Sequence, residues 1–137
     1  MASRSCSDRL PAVETHQPSV DRLSEYRDSA RARASARQAA RAARRDAAWT
    51  VARRAVDVLR QRYGATRVVV FGSLADGTHF DDRSDIDVAA WGTAFGSFWL
   101  AVGVLAELDP EFEIDLIRAE EADRRLIAAI EADGLAL

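Results

Sequence analysis

Three aspartates stand at positions that could bring carboxylates together. Asp85 and Asp87 are separated by one residue in a segment that continues as an apolar run, and Asp115 lies between two apolar residues farther along the chain. Successive side chains of a β-strand point to opposite faces, so Asp85 and Asp87 are expected on one face while the residue between them enters the core. If the strand that carries Asp115 is a neighbour, the three carboxylates converge.

A converging group of carboxylates needs a compensating positive charge. Like charges at short range repel, raise one another's pKa and lose hydration when they are buried. A divalent cation removes this conflict, and a ligand set made only of oxygen favours Mg²⁺ over zinc, which prefers His and Cys. We therefore predict a magnesium site at Asp85, Asp87 and Asp115, with Glu113 as the alternative third acid. The competing interpretation of Asp-x-Asp is a solvated strand end or turn.

A candidate phosphate site precedes these acids. Gly72 and Ser73 follow a short β-branched run and begin a segment that is expected to form a short helix or turn. Glycine lets a phosphate approach the backbone closely, and the N–H groups at a helix start attract anions. Gly-Ser after a strand is also common in ordinary turns. Its combination with the downstream acids favours the phosphate site.

The spacing of apolar residues predicts the elements that position these groups. Runs rich in Val and Ile indicate strands, and Gly or Asp-Pro marks the helix ends. The expected fold is α/β (or α+β), with a small mixed β-sheet flanked by helices. The predicted helices span residues 19–45, 49–63, 94–108 and 119–132, and the predicted strands span residues 68–71, 86–90, 112–117 and 135–137.

The chain is expected to have three parts. Residues 1–18 contain two prolines and no apolar period, which predicts a flexible tail. Residues 19–46 are rich in alanine and arginine, both strong helix formers, and predict a long helical arm. Residues 47–137 form the predicted globular domain.

Charge is segregated along the chain. Residues 22–67 carry 13 arginines and 4 acids, a net charge of +9, whereas residues 68–137 carry 4 arginines and 15 acids, a net charge of −11. The basic half is consistent with an arm that contacts nucleic acid, with a helix that docks on an acidic surface, or with a solvated face covered by arginine. Tyr26 is the only aromatic residue between Ser19 and Asp46, so sequence-specific reading of bases is not expected.

Length and composition restrict the class of protein. A chain of 137 residues that is 48% hydrophobic and 30% charged is about one soluble domain, so a large acceptor must be held by a partner chain or on an open face. No apolar run approaches the roughly 20 residues of a membrane-spanning helix, and no secretory signal is apparent. The single cysteine, Cys6, fits a reducing cytoplasm. We predict a cytoplasmic protein that does not contact a membrane. Assembly of the chain into a homo-oligomer is compatible with these features.

The segment FGSLADGTHFDDRSDIDVAAWG, together with the later EIDLI, resembles the nucleotidyltransferase fold of DNA polymerase beta and its relatives. The resemblance is to the minimal nucleotidyltransferases (MNT) that act as antitoxins beside HEPN toxins. It implies that Gly72 and Ser73 hold the nucleotide triphosphate. It further implies that Asp85 and Asp87 bind two Mg²⁺ ions, and that Asp115 helps to bind metal and to activate the acceptor hydroxyl.

The resemblance also shows where this chain departs from its relatives. They often read Gly-Ser-Arg-Ala-Arg-Gly, whereas Leu74 and Asp76 stand here in place of the two arginines. Arg83 could supply a compensating positive charge, or it is an exposed loop arginine. His79 is assigned no catalytic role, and Ser84 is expected to order the loop that contains it.

The activity implied by the resemblance is transfer of AMP from ATP to a hydroxyl of a partner protein, a tyrosine of a HEPN-type toxin. Related alternatives are nucleotidyl transfer to an aminoglycoside or to an RNA end. A further alternative is a catalytically weak antitoxin that neutralises its partner by docking alone, since Leu74 and Asp76 carry no positive charge.

Overall fold

A computed structural model describes residues 20–77 and 79–137. The predicted tail, residues 1–18, and the predicted helix start at Ser19 lie outside the described residues. The chain divides into two compact units, of which the first ends at Ser35 and the second spans Ala36–Leu137. The predicted division at residue 46 stays a prediction.

The first helix, α1, spans Val20–Tyr63. The two helices predicted in this region are therefore one helix of 44 residues. The chain contains neither glycine nor proline between these ends, so nothing in the backbone interrupts the helix. It ends at Tyr63 and is followed by Gly64, which adopts a φ of +70°.

The two stretches of α1, one in each unit, differ in how many of their residues are buried. Between Val20 and Ser35 the helix is exposed at every residue except the half-buried Ala30. Within the second unit, small and branched side chains at steps of three and four are buried, as the sequence predicts for residues 49–63. They are Ala48, Val51, Ala52, Ala55, Val56 and Leu59.

A four-stranded mixed sheet forms the centre of the second unit. Its strands are β1 (Arg67–Phe71), β2 (Ile86–Trp91), β3 (Ile114–Arg118) and β4 (Leu135–Ala136). The strand order is β3-β2-β1-β4, with β2 and β3 parallel and the other pairs antiparallel. The predicted α/β class with a small mixed sheet is confirmed.

Three α-helices and one 3₁₀ turn complete the second unit. They are α2 (Gly72–Asp76), α3 (Phe95–Ala106), the 3₁₀ turn Ala119–Glu121 and α4 (Arg124–Asp133). The single helix predicted over residues 119–132 is thus a 3₁₀ turn followed by a separate helix. The reason is Asp123, whose carboxylate accepts the Leu126 N–H at 2.8 Å and caps the start of α4.

Apolar side chains cover both faces of the sheet. On one face, alternate strand residues such as Val68, Val70 and Val88 join the main core with α1 and α3. On the other face, Val69 and Ala89 pack against α4 in a smaller cluster. Because side chains alternate along a strand, Asp87 belongs to the α4 face.

The outer surface of α3 is apolar. Phe95, Trp99 and Leu100 are 56%, 57% and 67% exposed, although a helix on the surface of a monomer usually presents polar residues there. Across residues 20–77 and 79–137, none of the helices combines the length and hydropathy that crossing a bilayer requires.

Candidate active site

The sheet brings two of the predicted acids side by side. Asp87 in β2 and Asp115 in β3 are register partners on adjacent parallel strands, so their side chains leave the sheet on the same face. Ile86 and Val88, which flank Asp87, are completely buried on the opposite face. The alternation expected around Asp87 is therefore present.

Asp85 reaches the same region from the loop side. It is exposed and directly precedes β2, which begins at Ile86, the residue at which this strand is predicted to begin. Burial first, and then the negative charges of Asp115 and Asp85, together raise the pKa of Asp87 to about 6. The charges of Asp85 and Asp115 therefore both act on Asp87, which is the half-buried member of the three.

Gly72 lies directly against the Asp87 carboxylate. It follows β1, whose last residue, Phe71, is the register partner of Asp87, and it adopts a φ of +73°. A Cβ atom added to Gly72 would overlap Asp87 Oδ2 and lie 3.1 Å from its Cγ. Both the backbone conformation and the close approach therefore require glycine at this position.

The short helix α2 is fixed beside this contact. Leu74 is completely buried in the main core, which explains how an apolar residue serves at a position where relatives often carry arginine. Ser73 is half-buried, and its carbonyl accepts the Gly77 N–H at 2.8 Å. Gly72 and Ser73 are thus the first two residues of α2, and Gly72 lies directly beside Asp87.

The three carboxylates have the donor chemistry of a Mg²⁺ site. All of their ligand atoms are oxygen, and a cation would relieve the unfavourable charge on Asp87. Within residues 20–77 and 79–137, however, no group of three or more His, Cys, Asp or Glu side chains is placed so that it could hold a metal ion. The residue types and the negative charge around Asp87 fit the ion, but the three carboxylates are not gathered into a ligand set in this structure.

The loop that leads into β2, residues 79–85, is held by its own polar groups; we call it the pre-β2 loop. The Asp81 carboxylate accepts the Arg83 N–H at 2.8 Å, and the Ser84 hydroxyl accepts the Asp81 N–H at 2.9 Å. The hydrogen bond from the Arg83 backbone is the main cause that lowers the pKa of Asp81. Ser84 therefore orders the loop, in agreement with its predicted role.

Three further residues that the sequence singles out are Glu113, Arg83 and His79. Glu113 is exposed, and its carbonyl accepts the Ile86 N–H at 2.9 Å, so its backbone joins the two acid-bearing segments. Arg83 is an exposed loop residue. His79 is also exposed and lines a cleft of about 500 Å³ between α1 and the pre-β2 loop, whose lining includes Asp81 but none of the three predicted metal ligands.

Two residues of this region were missed by the sequence analysis. Arg44 and Arg45 fall within the predicted arm, yet both pack against the segment that precedes β2. Arg44 Nε and Nη2 donate to the Asp81 and Asp82 carbonyls at 3.2 and 3.1 Å. The Arg45 guanidinium lies where a Cβ on Gly77 would be. Nothing in the local sequence distinguishes these arginines from the others of the arm.

Comparisons with solved structures show the same fold in toxin–antitoxin proteins. A mutant of the toxin–antitoxin MntA-HpeT aligns with a TM-score of 0.52 and 20% identity over 61% of this chain and 69% of that chain. A toxin–antitoxin with AMP-PNP gives 0.50 and 24% over 59% and 67%. Tri-AMPylated Shewanella oneidensis HEPN toxin in complex with MNT antitoxin gives 0.50 and 18% over 65% and 70%.

A search of curated proteins by sequence finds no match. The family model described as nucleotidyltransferase domain matches residues 52–133, which include β1 to β3 and every predicted site residue. A match over more than half of the chain, on the fold seen here, shows that this protein belongs to the nucleotidyltransferase domain family.

Proposed function

We propose that this nucleotidyltransferase transfers AMP from ATP to a hydroxyl of a partner protein, a tyrosine of a HEPN-type toxin. The observation that carries the proposal is the pairing of Asp87 with Asp115 on adjacent strands, with the Gly72 backbone pressed against Asp87. A half-buried carboxylate that repels two others is costly for a structural protein and useful to one that binds a cation.

Two of the structural neighbours support the choice of substrate and acceptor. One toxin–antitoxin contains AMP-PNP, an ATP analogue, and in another complex the HEPN toxin itself is AMPylated. The exposed apolar side chains of α3 also suit a protein partner, because contiguous exposed apolar groups are typical of protein contact surfaces.

The proposed reaction is an in-line displacement at phosphorus. The oxygen of the acceptor hydroxyl forms a bond to the α-phosphorus of ATP, the bond between the α-phosphorus and the bridging oxygen breaks, and pyrophosphate leaves. The proton of the acceptor hydroxyl passes to the Asp115 carboxylate, which is exposed beside Asp87. The backbone at Gly72 and Ser73 receives the phosphates.

Asp85, Asp87 and Asp115 would hold Mg²⁺, and two ions are expected from the family. When bound, Mg²⁺ neutralises charge on the phosphates and lowers the pKa of the attacking hydroxyl. The contribution of the chain is then to hold three carboxylates and a phosphate turn at one end of the sheet.

The test is transfer of label from [α-³²P]ATP to the co-expressed toxin partner in the presence of Mg²⁺. Wild-type protein is expected to label the partner, and Asp115→Asn is expected to lose this activity. Glu113→Gln provides the matched control, since it removes an exposed acid two residues away. No transfer by the wild type, or a greater loss in Glu113→Gln than in Asp115→Asn, would contradict the proposal.

A second candidate function is neutralisation of the toxin by docking without catalysis. It is favoured by Leu74, whose complete burial leaves no side chain there to contact phosphate. Isothermal titration with ATP and Mg²⁺ distinguishes the two functions: heat of binding supports catalysis, and its absence with retained toxin binding supports docking.

A further inference from the structure

Arg44 joins α1 to the pre-β2 loop within the second compact unit. Its guanidinium donates through Nε to the Asp81 carbonyl at 3.2 Å and through Nη2 to the Asp82 carbonyl at 3.1 Å. Both acceptors belong to the backbone, so these contacts fix the path of the loop rather than the orientation of one side chain. The loop ends at Asp85, three residues after the second contact.

The same guanidinium also covers a pair of aromatic rings. Its Cζ atom lies 4.6 Å from the ring centre of Phe112 and 5.9 Å from that of Phe80. The two rings are stacked with centres 6.4 Å apart, and both side chains are buried. Phe80 lies in the pre-β2 loop, and Phe112 precedes β3, the strand that carries Asp115. Arg44 therefore contacts both of the segments that lead into the acid-bearing strands.

These contacts require arginine in particular. A planar guanidinium can donate in its plane to two carbonyls while its face rests on aromatic rings, and a lysine ammonium cannot do both with the same geometry. Hydrogen bonds from a charged donor are also stronger than neutral ones. One side chain thus holds two loop carbonyls and two rings in a single arrangement.

Arg45 shows that the neighbouring part of α1 is also closely fitted to this region. Its guanidinium fills the space beside Gly77, where φ is +75° and an added Cβ would overlap the guanidinium atoms. The segment before β2 is therefore held by α1 at two places, near Gly77 and at Asp81 and Asp82.

We infer that Arg44 is a positioning residue for the acids: by fixing the loop that ends at Asp85, it holds this carboxylate beside Asp87. The part of this inference that concerns the rate of AMP transfer rests on the proposed function. Its structural consequence, an ordered loop that keeps Asp85 within reach of a metal ion, is testable without any transfer reaction.

The first measurement is peptide-level amide hydrogen exchange of the full chain in wild type, Arg44→Ala, Arg44→Lys and Arg37→Ala. Arg37 is the matched control because it lies two helical turns earlier on α1, is exposed, and loses the same charge. Residues 79–85 are expected to exchange at least about tenfold faster in Arg44→Ala, to change less in Arg44→Lys, and to be unchanged in Arg37→Ala.

The second measurement is Mn²⁺ binding to the same proteins without nucleotide, followed by electron paramagnetic resonance. Loss of a residue that orients metal ligands typically costs about 10–100-fold in metal affinity, and we expect this range for Arg44→Ala. If the wild type transfers AMP, the Mg²⁺ concentration for half-maximal rate is expected to rise by the same factor in Arg44→Ala.

Two outcomes would overturn the inference. One is loop exchange and Mn²⁺ affinity in Arg44→Ala that equal those of Arg37→Ala. If Arg44→Ala does not fold, the second outcome is measured on Arg44→Lys. Wild-type exchange in residues 79–85 together with wild-type Mn²⁺ affinity in that variant would contradict the inference. Failure of the proposed function is a separate result, namely no transfer by wild type while the loop and the metal respond to Arg44 as expected.

Discussion

The acids of the candidate active site are held in two different ways. Asp87 and Asp115 lie on neighbouring strands, where the hydrogen-bonded ladder of the sheet fixes their spacing. Asp85 ends a loop whose path depends on side chains, namely Ser84 and Asp81 from within and Arg44 from α1. The strand acids are therefore part of the fold itself, whereas the loop acid depends on a small number of polar contacts that a single substitution can remove.

The strand acids are expected to be the less replaceable. Asp87→Asn removes a proposed metal ligand and should lower AMP transfer by more than about 100-fold, above the range typical of residues that only orient ligands. The rate of labelled AMP transfer at saturating Mg²⁺ measures this effect. A smaller loss in Asp87→Asn than in Arg44→Ala would reverse the comparison.

The glycine next to Asp87 offers a stability test of the same region. Gly72→Ala combines the strain of a positive φ with overlap of the Asp87 carboxylate, and should lower the free energy of unfolding by about 2–4 kcal/mol. Gly64→Ala is the matched control, because Gly64 has a φ of +70° and nothing within 4 Å of an added Cβ.

Urea denaturation of the two variants separates these contributions. For Gly64→Ala we expect only the backbone cost, about 1–2 kcal/mol. Equal losses in both variants would mean that the Asp87 carboxylate moves aside without cost. The contact would then not account for the need for glycine at position 72.

The raised pKa of Asp87 predicts how stability depends on pH. An acid whose pKa rises from 3.8 when unfolded to about 6 when folded binds its proton more tightly in the native state. The stabilisation of the folded state by proton binding to Asp87 is therefore complete below about pH 4 and is lost as the pH rises to about 6. The shift corresponds to at most about 3 kcal/mol, and solvent screening of a half-buried group reduces this to about 1–2 kcal/mol.

Thermal unfolding in EDTA between pH 4 and pH 7 measures this loss. The decline between pH 4 and pH 6 should be smaller in Asp87→Asn than in the wild type. Adding Mg²⁺ at pH 7 should raise the melting temperature of the wild type and have little effect on the variant. A Mg²⁺ effect of the same size in both proteins would remove Asp87 from the metal site.

The smallest expected effect belongs to the loop. Ser84→Ala removes a hydroxyl that accepts the Asp81 N–H, and a neutral hydrogen bond contributes about 1 kcal/mol, which corresponds to about a fivefold change in rate. Steady-state AMP transfer as a function of Mg²⁺ measures it. A loss as large as that of Asp87→Asn would show that the loop, and not the strand ends, controls the site.

Much of the site was predictable because strands impose a period of two. Alternation predicted that Asp87 leaves the sheet on the face opposite its apolar neighbours, and the run before Gly72 predicted a short helix or turn there. The pairing of β2 with β3, which brings Asp115 beside Asp87, was only a condition of the prediction. The prediction was less accurate for residues 119–132, where Asp123 caps a new helix. Element ends depend on single capping contacts, which periodicity does not reveal.

The sequence by itself determined the strands and the identity of the acids, because burial of alternate apolar residues is a local property of the chain. Only the tertiary structure decided that Arg44, among many similar arginines, reaches the Asp81 and Asp82 carbonyls. These two hydrogen bonds join residues that are separated by 37 and 38 positions along the chain. They depend on how the helix packs against the sheet, which no local pattern specifies.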